Sequence, residues 1–289
     1  MKEPIEQSGP TALRMILGAN LRRLRERLGV SRADAGWAIR ASESKISRME
    51  LGRVSFKERD IRDLLTLYEV DDEAERAELI SLAVAANDPG WWQRYDQVTP
   101  TWFYSYLGLE AAASLIRTFE LQFVPGLLQT ADYAREVVQM EDVPLPQQEI
   151  EQKVALRLDR QKILARSTRP RLWAVLDEAI LRRPIGSRAV LRGQLESLLD
   201  STRELYTTIQ VLPFDSGRHR ATAGAFSVLR FSDAELPDIA YVEHLTSALY
   251  LDKPHDVEKY SVAMDTLTVA APPPKESERL ILDALKDLS

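Results

Sequence analysis

Residues 31–52 read SRADAGWAIRASESKISRMELG, and this stretch decides the fold of the N-terminal part. Ser31, with Asp34 three residues on, resembles a capping box in which Asp replaces the usual Glu or Gln. It opens a helix of about two turns that runs to Ile39. Only Arg40 and Ala41 separate that helix from Ser42, which caps a second one from Glu43 to Leu51, closed by Gly52. Ile46 and Met49 fall on its inner side. The turn is too short for the two helices to lie antiparallel, so they must cross steeply. The second helix then stands out as a ridge that fits a DNA major groove about 12 Å wide. Its outward residues are Glu43, Ser44, Lys45, Ser47 and Arg48. Lys45 and Arg48 carry donors for guanine O6 and N7 or for a phosphate, and the serine hydroxyls serve either.

Working outward, Leu13, Ile16, Leu17, Leu21, Leu24 and Leu28 recur at helical spacing, with Thr11 as the expected cap and Gly29 as the stop. Downstream, Ser55 and Glu58 form a second capping box ahead of Ile61, Leu64, Leu65 and Leu67. Two short helices flanked by longer ones are the expected arrangement. Arg32, Arg53 and Lys57 lie near a helix start or just past the reader helix, so they are expected to hold phosphates. Glu50 would repel a phosphate and is expected to pair with Arg22 or Arg25.

The stretch from Gly18, GANLRRLRERLGVSRADAGWAIRASESKISRMELGR, resembles the Cro and phage-repressor (Xre) type of helix-turn-helix. The pattern S-x-S-x-I-S-R-hydrophobic-E-x-G, from Ser42 to Gly52, carries the likeness, and it implies sequence-specific binding of double-stranded DNA. Three residues depart from that family. Ala35 stands where a large aliphatic is usual. Arg40 stands where glycine is frequent, which predicts a positive φ costing about 1 kcal/mol. Trp37 stands where a polar, exposed residue is usual, and partial burial against the neighbouring domain is expected of it.

Charge agrees with this division. The whole chain carries −6, yet Thr11–Arg59 holds twelve basic and five acidic residues, a local +7 that leaves −13 elsewhere. A basic module on an acidic body is the electrostatic footprint of a DNA reader. The chain of 289 residues predicts two domains. It has no cysteine, which excludes disulfides, thiolate metal sites and cysteine nucleophiles. With neither an N-terminal apolar leader nor a run of about 18 apolar residues, a cytoplasmic, nucleoid-associated protein without a membrane span is expected.

The expected organisation is a mainly α helix-turn-helix bundle over 1–70, a connecting helix and linker over 71–90, and an α+β regulatory domain over 91–289. Asp72 to Ala86 reads as helix, and Asn87-Asp88-Pro89-Gly90 as a breaker. Trp91, Trp92, Tyr95, Trp102, Phe103, Tyr104 and Tyr106 follow. Only Arg94 interleaves them, which favours a packed interdomain or dimer surface over a base-stacking platform. Helices are expected at Gly108–Thr118, Thr130–Met140, Pro146–Ala165, Ser187–Tyr206 and Lys275–Leu288, the last after Pro272-Pro273-Pro274. Strands are expected at Arg171–Leu176, Thr208–Pro213, Phe226–Phe231, Ile239–Glu243 and Ala248–Leu251. From Trp91 onward, the segments WWQRYDQVTPTWFYSYLGLEAAASLIRTFELQFVPGLLQTADYAREV, LRLDRQKIL, LWAVLDEAILRRPIGSRAVLRGQLESLL and IQVLPFDSG resemble the large C-terminal domain of actinobacterial antitoxin-like Xre regulators. The resemblance implies partner binding or regulation, often with a small protein from a neighbouring gene.

Catalytic signals are thin. The histidines are His219, His244 and His255. Glu243 and His244 alternate across a strand, as would Asp177 and Glu178, so Asp177, Glu243 and His244 make a poor metal set. GSRAVLRG lacks the lysine and glycine spacing of a phosphate loop, and no G-x-S-x-G occurs. The reading is a non-enzymatic, homodimeric transcriptional regulator with no cofactor. Its C-terminal domain dimerises and responds to a small protein or a small-molecule ligand. The alternatives are the DNA-binding component of an antitoxin-like two-protein pair, a small-molecule-sensing repressor, and an enzyme fused to a DNA anchor.

Overall fold

The computed structural model describes residues 10–140, 144–217, 224–234 and 236–288, which form one helical unit and one α+β unit. The first unit takes in residues up to Gln93, Tyr104–Ala112 and Ser232–Leu236. It holds α1 (Pro10–Arg27), α2 (Arg32–Ala38), α3 (Glu43–Glu50), α4 (Glu58–Leu67), α5 (Glu73–Ala85) and most of α6 (Phe103–Ala112). Its core is built from the inward faces of α1, α3 and α4: Leu17, Leu21 and Leu24, Ile46 and Met49, and Ile61, Leu64 and Leu65, closed by Phe56 and Tyr68. Helix α5, capped by Asp72, packs on α1 and α4 through Leu79, Leu82 and Ala83. The carboxamide of Asn87 then accepts from the Phe56 N–H at 3.0 Å and donates to the Phe56 carbonyl, which ties the end of α5 to the approach to α4.

Two expected caps are not formed. Thr11 lies inside α1, buried, with Arg14 Nη2 donating to its hydroxyl at 3.3 Å. Lys57, not Ser55, precedes α4, and no side chain caps that helix.

The second unit is built on a six-stranded mixed sheet. Its strands are β1 (Leu115–Glu120), β2 (Arg171–Asp177), β3 (Thr207–Leu212), β4 (Phe226–Arg230), β5 (Ile239–Glu243) and β6 (Ala248–Leu251), in the order β3-β2-β1-β4-β5-β6. The β1–β2 and β2–β3 pairs are parallel, and each needs a crossover. The first crossover is α7 (Ala131–Gln139) with α8 (Gln147–Gln161), and the second is α9 (Ala179–Arg182) with α10 (Arg188–Ser201). The remaining pairs are antiparallel: β4–β5 and β5–β6 are consecutive strands, while β1 meets β4 from far along the chain. Helix α11 (Pro254–Ala270) covers one face, where Met264 and Leu267 join Phe119, Val175, Leu212, Phe226, Val228 and Val242 in one core. Helix α12 (Pro274–Asp287) packs on β3 and α10. Among the described residues no helix is long and apolar enough to cross a membrane.

Two elements differ from the sequence expectation. Gly108–Thr118 is not one helix: α6 stops at Ala112, and Leu115 begins the central strand. The Ser114 N–H donates to the Arg230 carbonyl at 2.8 Å, and the β-branched Ile116 and Thr118 are both buried while Leu115 and Arg117 are less so, as a strand requires. Helix α11 was not expected. Its inward residues Val257, Met264 and Leu267 are too sparse for a clear stripe, and Val262, Thr266 and Val269 have weak helix propensity. The aromatic run is shared between the units. Trp91 and Trp92 meet edge to face in the first, and Trp102 and Phe103 in the second.

Candidate nucleic-acid interface

Local capping sets the helix-turn-helix. The Ser31 hydroxyl accepts the Asp34 N–H at 3.0 Å and opens α2. The Ser42 hydroxyl accepts the Lys45 N–H at 3.3 Å and opens α3. Ala35 and Ile39 from α2, with Ile46 and Met49 from α3, are all buried. Gly52 ends α3 at φ 64, and a Cβ there would lie 2.7 Å from the Met15 backbone nitrogen of α1. Glycine is therefore required by conformation and by space at once.

Two buried carboxylates organise the cations. The Glu50 side chain, 2 % exposed, accepts from Arg25 Nε at 2.5 Å and from Arg32 Nε at 2.9 Å. Arg25 also donates to the Val30 carbonyl at 2.8 Å, and its bond to Glu50 raises its own pKa against the opposing effect of burial. The Asp60 side chain, 1 % exposed, accepts from Lys45 Nζ at 2.5 Å and from Arg59 Nη2 at 3.1 Å. Burial pushes the Asp60 carboxyl upward, but the bonds from Lys45 and Arg59 outweigh it and hold it below its ordinary value.

The predicted contact residues accordingly divide. Arg32 and Lys45 are engaged with Glu50 and Asp60. Glu43, Ser44 and Arg48 are exposed on α3, and Ser47 is half-buried. Arg48 Nε makes a long bond of 3.4 Å to the Ser44 carbonyl of its own helix. Arg53 and Lys57 are exposed beyond the end of α3 and form no ion pair among the described residues. Glu50 pairs with Arg25 among the two partners expected of it, while Arg22 bonds Glu26 instead. Arg40 does lie at positive φ. Trp37 is not partly buried: it is 85 % exposed, because Ala35, Gly36 and Ile39 supply the inner side of α2. Asp60 escaped sequence reasoning, since no local pattern links it to Lys45.

The residues weighed for chemistry in the second unit have structural partners. The Asp177 carboxylate accepts the Ala179 N–H at 2.8 Å, and Glu178 accepts from Arg182 and from the Phe214 N–H. Two strands separate β2 from β5, so Asp177 stands about 14 Å from Glu243 and His244, too far to share an ion. His219 lies outside the described residues.

A family model described as a helix-turn-helix domain matches residues 16–79. A second, described as a domain of unknown function (DUF5753), matches residues 103–283. No curated protein and no solved structure matches the chain.

Proposed function

The chain belongs to the DUF5753 family, with a helix-turn-helix domain ahead of that domain, and from this premise we propose that it is a sequence-specific, double-stranded-DNA-binding transcriptional regulator. Helix α3 enters the major groove with Ser44 and Arg48 toward the bases, and Arg53 and Lys57 hold the flanking phosphates. One observation carries the reading. Around α3 the cations that shape the fold are neutralised by Glu50 and Asp60, while Arg48, Arg53 and Lys57 form no ion pair among the described residues and face solvent. That is an available positive surface, not merely a basic composition.

A single short helix covers about half a site, so the protein works as a homodimer on an inverted repeat with half-sites about 10–10.5 bp apart, or a multiple of that. The second unit supplies the dimer contact and the response to a partner protein or ligand. Its edge hairpin supports a protein contact: Leu245 in the β5–β6 turn is 89 % exposed, Leu249 of β6 is exposed as well, and β6 is an edge strand. As the DNA-binding half of an antitoxin-like pair, the chain would place its small partner there. As a small-molecule-sensing repressor, it would respond through this unit without that surface. The seat of action is the nucleoid, in the cytoplasm.

The test is selection of the full chain on random duplexes, followed by footprinting and sedimentation of the selected complex. A palindromic consensus bound by two chains is expected. Failure to enrich any sequence, or a monomer bound tightly to one half-site, overturns the corresponding part of the reading.

A further inference from the structure

Four helices of the first unit end alike. After the cap, one residue turns into the left-handed region, and two backbone bonds reach back into the last turn. In α1 these run from Gly29 to the Glu26 carbonyl and from Val30 to the Arg25 carbonyl, both at 3.1 Å. In α3 they run from Gly52 to Met49 at 2.9 Å and from Arg53 to Arg48 at 2.8 Å. In α2 they run from Arg40 to Trp37 at 3.0 Å and from Ala41 to Gly36 at 2.8 Å, and in α4 from Glu69 to Thr66 at 3.2 Å and from Val70 to Leu65 at 3.1 Å. The turning residues have φ of 65° at Gly29, 54° at Arg40, 64° at Gly52 and 52° at Glu69. Glycine adopts this conformation without penalty, and an L side chain does not. At Gly29 nothing lies within 4 Å of where a Cβ would stand, so glycine there answers to conformation alone. Arg40 and Glu69 keep a side chain at the same backbone cost.

The two exceptions differ in place and in charge. Glu69 is acidic and follows α4, not α2. Arg40 is exposed, stands two residues ahead of the Ser42 cap of α3, and makes no side-chain hydrogen bond or ion pair among the described residues. In the same unit Arg25, Arg32, Lys45 and Arg59 all hold carboxylates. A strained conformation occupied by a cation with no role in the fold is a feature to be explained by what the side chain meets.

The geometry points to Arg40 as a further DNA contact, its guanidinium taking a backbone phosphate beside the N-terminal end of α3. This rests on the reading of α3 as the groove helix. In that docking the first helix of the pair crosses the sugar-phosphate backbone, and the turn leads directly to the residues that reach the bases. The planar guanidinium offers paired donors that fit phosphate oxygens. Conformation and binding then oppose each other at one position: glycine relaxes the turn and removes the contact.

The experiment measures the full chain and its Arg40→Gly, Arg40→Gln, Arg40→Lys and Glu69→Gly variants on a random-sequence duplex. Anisotropy across a salt series gives the slope of log K against log salt, and thermal unfolding gives Tm. Arg40→Gly and Arg40→Gln are expected to flatten the slope by about 0.9, the value for one phosphate. Arg40→Lys keeps most of the slope. Arg40→Gly holds or raises Tm, and Glu69→Gly raises Tm with the slope unchanged. Arg40→Gln with the wild-type slope overturns the proposal, as does a Tm lowered by Arg40→Gly, which would make the side chain a prop of the fold. A wild-type chain without salt-dependent binding overturns the DNA reading itself, and is told apart because no variant comparison then arises.

Discussion

Lys45, on the helix read as the DNA reader, donates at 2.5 Å to Asp60 of α4, whose carboxylate is 1 % exposed. A cation expected on the outer face of α3 is thus a tie between two helices. Any substitution there changes the fold and the surface together, so stability and binding must be measured side by side.

Replacing Lys45 by alanine leaves a buried carboxylate with only Arg59, which is itself exposed. A loss of about 1–3 kcal/mol is expected by urea denaturation, at the lower end because Lys45 is 30 % exposed and its charge is partly screened. The double variant Lys45→Met, Asp60→Leu should recover part of it. A Lys45→Ala chain with wild-type stability would show that the pair does not hold α3 to α4.

The same pair predicts an acid limb. Asp60 is held below its ordinary value, so its contribution is complete above the unfolded carboxylate pKa and is lost as pH falls through the depressed folded one. Wild-type stability should therefore drop below about pH 4, and Asp60→Asn should have a flatter acid limb, measured as urea midpoints along pH.

The buried Glu50 carboxylate binds the buried Arg25 and the part-exposed Arg32. Glu50→Ala leaves the buried Arg25 with only a long 3.4 Å carboxylate bond, to the half-exposed Glu26, and a loss of about 3 kcal/mol is expected. Arg32→Ala should cost less, since Arg32 is more exposed, and should move the salt slope of DNA binding less than Arg53→Ala or Lys57→Ala, each of which should flatten it by about 0.9. A full unit of slope lost in Arg32→Ala would place Arg32 on a phosphate.

Arg48 is the exposed cation on the outer face of α3. Arg48→Ala should flatten preference at one or two base positions, a discrimination of about 1–3 kcal/mol, read by selection on random duplexes. Equal loss on selected and random DNA would assign Arg48 to a phosphate.

In the second unit, the Glu120 carboxyl at the end of β1 is pushed up to about 8, by burial first, while the Thr118 bond opposes this and the charge of Glu243 adds to it. The folded chain holds this proton where the unfolded chain, near 4.5, has released it, so stability falls as pH rises from about 4.5 to about 8. Glu120→Gln should remove that fall and make the chain more stable than wild type at pH 8. Parallel pH profiles of the two would refute the assignment.

The helix-turn-helix was legible because its determinants are local. The Ser31 and Ser42 hydroxyls accept the N–H three residues on and open α2 and α3, Gly29 and Gly52 close α1 and α3, and Ile46 and Met49 mark the inner side by spacing alone. Five of the six strands were legible from their β-branched and aromatic runs. Strand β1 was not, because it is made a strand by partners remote in sequence: Leu115 pairs with Arg171 on one side and with Arg230 on the other. Helix α11 likewise owes its stability to the sheet face it covers more than to its own residues. In the candidate site, spacing along the chain shows which side chains lie on α3 and where the positive charge collects. Which of those charges are available depends on how the helices pack. Arg32 and Lys45 are drawn inward by Glu50 and Asp60, while Arg40, Arg48, Arg53 and Lys57 have no such partner among the described residues. Periodicity and capping act within a turn or two of chain, whereas an ion pair forms only where the crossing of helices buries one particular carboxylate beside one particular cation.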